Sequence, residues 1–149
     1  MVEPVSIVAA ALGLTGSAWT ICEQTYRLIN GIRGAPAHVA RIAGDLQALC
    51  SVLWTLHAAL AVEEEKQIIG AIPTQMAENL QDLLRNCMGV FLEIQKVVQP
   101  FTTAQGTARR GPWKMFTWER YKKDEILLLQ NALGSYKLTL NIACSSLTL

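Results

Sequence analysis

The chain has 149 residues, 51% of them hydrophobic and 17% charged, and its 13 basic and 12 acidic side chains leave a net charge of +1. This length fits a single domain with a real core, residues 1–149, and the balanced charge excludes a global field that would draw nucleic acid or an acidic substrate. Cys22, Cys50, Cys87 and Cys144 are scattered, with no C-x-x-C pair and two histidines in the chain, so the spacing disfavours a zinc site and the thiols read as small core hydrophobes of a reducing compartment.

The first predicted helix spans 4–32. Pro4 suits a first helical turn, and Val5–Cys22 has eighteen residues without a charge. Glu3 and the lack of Lys or Arg before this run disfavour a secretory signal. One apolar line is Val5, Val8, Leu12, Thr15, Trp19, Cys22, Tyr26 and Ile29; a second, Ile7, Leu14, Ile21 and Leu28, lies roughly 200° away. A helix apolar on opposite faces belongs in the middle of a bundle or meets lipid, and this run is at the lower limit for spanning a bilayer, about 20 residues. Ala9, Gly13 and Ser17 form a small-xxx-small face that permits close helix approach; tight packing within the monomer is the competing explanation. With Gly16 they complete the candidate membrane or oligomerisation set.

Pro36 opens a second helix, 36–61, with the unbroken seam Val39, Ile42, Leu46, Leu49, Leu53, Leu56 and Leu60, the pattern of helices packed at a shallow angle. Glu63–Glu65 breaks the pattern, and Gly70 and Pro73 mark a connection. The third helix, 73–99, carries Met76, Leu80, Leu83, Cys87, Val90, Ile94, Val97 and Phe101. Residues 102–113 read as a mobile basic loop. The fourth helix, 114–147, has the seam Ile126, Leu129, Leu133, Tyr136, Leu140, Ala143 and Leu147. Four seams without a β pattern predict an all-α fold, an antiparallel four-helix bundle, with Leu46, Leu53, Leu83, Ile94, Leu129 and Leu133 buried.

No phosphate loop, nucleophile elbow or metal-ligand pair is present. His38 and His57 are too far apart for one site, and the carboxylates Glu78 and Asp82 read as a solvated face. The expectation is no catalytic, cofactor-binding or metal residue, no cofactor and no enzyme. A basic-aromatic stretch does stand out: Arg109, Arg110, Trp113, Lys114, Phe116, Trp118, Arg120, Tyr121, Lys122 and Lys123 bring six cations against Glu119. Such rings and cations suit an anionic membrane interface; a hydrophobic staple pinning the loop to the bundle is the alternative, and nucleic-acid binding ranks below both.

The opening Glu3-Pro4-Val5-Ser6-Ile7-Val8 with Gly13-Leu14, the leucine run Leu46 to Leu53, and the closing Trp118, Lys122, Lys123, Leu129, Leu133 and Tyr136-Lys137-Leu138-Thr139-Leu140 resemble the fungal N-terminal domain of STAND (NLR-like) proteins, the HeLo-like family. The resemblance implies a helical effector or signalling domain of an innate-immunity or self/non-self receptor. Similar domains cause programmed cell death, including heterokaryon incompatibility, by oligomerising and inserting an N-terminal helix into the plasma membrane. On this chain that helix is Val5–Cys22. The implied partners are a second copy, anionic membrane lipids and other helical signalling domains, with no nucleic acid; the implied location is cytoplasmic, with recruitment to the plasma membrane on activation. A recruitment module without membrane activity is the alternative.

Overall fold

The computed structural model describes the backbone of residues 4–32, 37–66, 74–99 and 112–148, and the side chains of 9–32, 37, 39–62, 75–99 and 124–146 within it. Four helices make up these segments: α1 (Pro4–Asn30), α2 (Ala37–Lys66), α3 (Thr74–Val98) and α4 (Pro112–Thr148). No strand occurs among the described residues, and the all-α bundle expected from the four seams is what forms. Helix α1 ends as Gly31 N–H bonds to the Arg27 carbonyl and Ile32 N–H to that of Ile29. Helix α2 runs through Glu63–Glu65 instead of stopping before it, because glutamate propagates a helix well. Helix α4 begins at Pro112, inside the stretch expected to be loop; the rest of that loop, to residue 111, lies outside the described residues.

Helix α1 packs on α2 and α3, and α4 packs on the same two helices from the other side. The contacts Thr15–His57 and Cys22–Cys50 both pair residues equidistant from position 36, so α1 and α2 form an antiparallel hairpin. Thr25 meets Gln95, each near the C-terminal end of its helix, so α1 and α3 run in the same direction.

The seam of α2 is buried at every expected position from Val39 to Leu60. It also makes Val39–Val62 long and apolar enough by composition to cross a membrane, a property that core helices share. On α3 the expected seam holds at Leu80, Cys87, Ile94 and Val97 and is one residue out of phase at Met76, Leu83 and Val90. Ala77, Leu84 and Phe91 are enclosed with Leu80, Cys87, Ile94, Val97 and Val98, while Met76, Leu83 and Val90 are half-buried. Both lines are apolar, so either could face inward; the one that puts Phe91 at the centre does. On α4, Ile126, Leu133, Leu140 and Cys144 are buried, and Leu129, Tyr136 and Ala143 only half-buried. Of the six residues expected in the core, Leu46, Leu53, Ile94 and Leu133 are there, whereas Leu83 and Leu129 lie at its margin.

Candidate functional site on the first helix

The inward face of α1 differs from its neighbours' in size and polarity. It consists of Ala11, Thr15, Ala18, Cys22, Thr25 and Ile29, while Leu12, Trp19 and Tyr26, expected at the centre, flank it half-buried. Small side chains make up most of the enclosed face, and larger ones lie half-buried along its margins. Two hydroxyls complete the inner face. Thr15 Oγ1 donates to the Leu12 carbonyl at 2.8 Å, so its contact with His57 Nδ1 at 3.0 Å requires the proton on Nδ1 and a bond donated by the ring. Thr25 Oγ1 donates to the Ile21 carbonyl at 2.7 Å and accepts from Gln95 Nε2 at 2.8 Å. Both threonines thereby satisfy their own helix and a neighbour, as buried hydroxyls must.

The outward face carries the small-xxx-small series. Ala9, Gly13 and Ser17 are exposed, together with Thr20 and Gln24, and Gly16 is half-buried. A Cβ on Gly13 would meet nothing within 4 Å, and one on Gly16 would meet the His57 ring at 3.5 Å. Tight packing of this series within the monomer is therefore not what the structure has. An open groove of about 830 Å³ runs over it, with Leu12, Ile21 and Trp19 from α1 and Trp54 and His57 from α2 on its margins. Trp19 and Trp54 have ring centroids 5.4 Å apart at 50°, and Trp54 and His57 6.1 Å apart at 30°. Trp54 is 57% exposed. Leu14 and Ile21, of the second apolar line, pack partly against the core. Val5 and Val8 are within α1, but their side chains lie outside the described residues.

The side chains of the basic-aromatic set lie outside the described residues. Trp113, Lys114, Trp118, Arg120, Lys122 and Lys123 belong to the first turns of α4, and Arg109 and Arg110 lie outside the described residues. Further along α4, Leu128, Leu138 and Ile142 project from one outward face, off the line of the inward seam. Glu78 and Asp82 are exposed, and Asp82 pairs with Arg85 at 3.3 Å. Among the described residues no group of three His, Cys, Asp or Glu could hold a metal ion.

The thiols, expected as unrelated core hydrophobes, include one pair that touches. Cys50 Sγ lies 3.2 Å from Cys22 Sγ, and the Cys22 thiol donates to the Leu46 carbonyl at 3.3 Å. The hydrogen bond with Cys50, reinforced by burial, raises the Cys22 pKa; the same bond lowers that of Cys50 against the opposing effect of its own partial burial. Cys87 is pushed up to about 12 by burial.

Residues 2–149 match the family model described as "Pigment biosynthesis cluster protein PigL N-terminal". No curated protein and no solved structure matches the chain.

Proposed function

From the match over nearly its whole length, the chain belongs to the PigL N-terminal family, a fungal domain family, and we propose that it is the signalling or effector domain of an NLR-like (STAND) receptor that works through α1. In this reading copies of the domain associate through the open small-residue face of α1, and α1 then enters the membrane and triggers cell death. The role asks for no catalytic residue and no cofactor. One observation carries it: α1 has small residues on both sides. Its inner face, Ala11, Thr15, Ala18, Cys22, Thr25 and Ile29, has one large aliphatic residue and gives up less apolar contact on leaving the bundle than the leucine seam of α2 would. Its outer face, Ala9, Gly13 and Ser17, is open to a second helix at close range.

A recruitment module that binds other helical domains and never enters lipid is the second reading. It is favoured by the aromatic margin of the groove, since Trp19 and Trp54 give an adjacent helix large, rigid surfaces to pack on. Light scattering and dye release from phosphatidylcholine/phosphatidylserine vesicles separate the two, with wild type compared to Gly13→Leu, whose side chain projects into the open groove and not into the core. Association with leakage, both lost in a folded Gly13→Leu, is the expected result. Association without leakage selects the recruitment module, and a monomer that neither associates nor leaks refutes both.

A further inference from the structure

We propose that Cys22 and Cys50 are a redox-responsive pair, able to form an intrachain disulfide that ties α1 to α2 in the oxidised domain and leaves α1 releasable in the reduced one. The two sulfurs are in contact at 3.2 Å, and a disulfide bond measures about 2.04 Å. Side-chain rotation and a small shift between two helices close the difference. The thiols are also unequal in access. Cys50 is half-buried beside the exposed Ser51 and Trp54, whereas Cys22 is fully enclosed behind it.

That inequality assigns the roles. The Cys22 thiol can turn its hydrogen from the Leu46 carbonyl to a Cys50 thiolate, stabilising that thiolate, so Cys50 ionises first and is the attacking sulfur. Glu23 opposes ionisation of both thiols, and its carboxylate is held by Arg27 at 2.6 Å. The oxidant is a hydroperoxide. Cys50 thiolate attacks one peroxide oxygen; the O–O bond breaks, the second oxygen leaves with a proton, and Cys50 becomes a sulfenic acid. Cys22 then gives up its proton, its sulfur attacks that of Cys50, the S–O bond breaks, and hydroxide leaves with the proton as water. With hydrogen peroxide, two thiols and one peroxide yield one disulfide and two waters. Cys87, held protonated by burial, is no competitor for the first step.

The proposal adds a control to the reading of α1 as the working helix, but the thiol chemistry stands apart from it. The reduced domain is treated with hydrogen peroxide, quenched, alkylated in denaturant and mapped by mass spectrometry without reduction. A Cys22–Cys50 cross-linked peptide within a monomer is expected, with a melting temperature raised by about 10 °C and restored by dithiothreitol. Cys50→Ala, at a half-buried position, should lose both changes. Four alkylatable thiols after treatment, a Cys50–Cys50 dimer, or the same rise in melting temperature in Cys50→Ala would each overturn the pair. Leakage of anionic vesicles tests the latch: bridged protein should lose it and regain it on reduction. A bridge that forms but leaves leakage unchanged overturns the latch, and reduced protein with no leakage at all counts against the proposed function while the peptide map still decides the bridge.

Discussion

Alanine at Leu84 should destabilise the bundle far more than alanine at Leu83, although the two are neighbours of the same residue type on the same helix. Helix propensity changes equally in both variants, so the difference isolates burial. Leu84 is fully enclosed, and its truncation removes transfer free energy and leaves a cavity, about 3 kcal/mol in all. Leu83 is half-buried at the margin; water can follow the side chain out, leaving only the transfer term for the covered part, about 1 kcal/mol. A gap of about 2 kcal/mol corresponds to about 1 M in urea midpoint. Urea unfolding followed by circular dichroism at 222 nm resolves it. Equal losses, or a larger loss for Leu83→Ala, would show that α3 presents Met76, Leu83 and Val90 inward, and the packing described here would be wrong.

Gly13→Ala should raise monomer stability by about 1 kcal/mol, since alanine favours the helix and its Cβ meets no neighbour within 4 Å; a destabilised variant in thermal melts would mean that the position is occluded. Stability should also fall at high pH because of Cys87. Burial pushes its folded pKa up to about 12, above the 9.0 of an ordinary thiol, so from pH 9 to pH 12 the unfolded chain sheds a proton that the folded one keeps. Unfolding is therefore favoured as pH rises through this window, by up to about 1.4 kcal/mol per unit, and Cys87→Ala should show a flatter profile than wild type.

What the sequence makes legible depends on side-chain size. The α2 seam is plain because each of its buried positions carries a large aliphatic residue and, Val52 and Trp54 beside Leu53 excepted, its chain neighbours are polar or small. On α3 two adjacent lines are both apolar, and no rule of periodicity chooses between Leu83 and Leu84. On α1 hydropathy selects Leu12, Trp19 and Tyr26, whereas close approach selects Ala11, Ala18 and Thr25. The thiol contact gave no signal from spacing alone, yet an antiparallel pairing of the first two helices centred on the break between them sets position 22 beside 50 and 15 beside 57, and that symmetry was the signal available.

The two threonine bonds of α1 constrain a coordinate that apolar packing leaves soft. Sliding a helix by one turn, about 5.4 Å, changes little in a face of alanines, because small side chains offer little to interlock. Thr15 and Thr25, however, are bound to different helices, at His57 on α2 and Gln95 on α3. A slide or a roll of α1 breaks at least one of these bonds, so α1 has one axial position in the bundle and no ladder of intermediate ones. Were α1 to leave the bundle as proposed, its departure would be a single event with a threshold, and a stimulus too weak to break both bonds would leave the domain at rest.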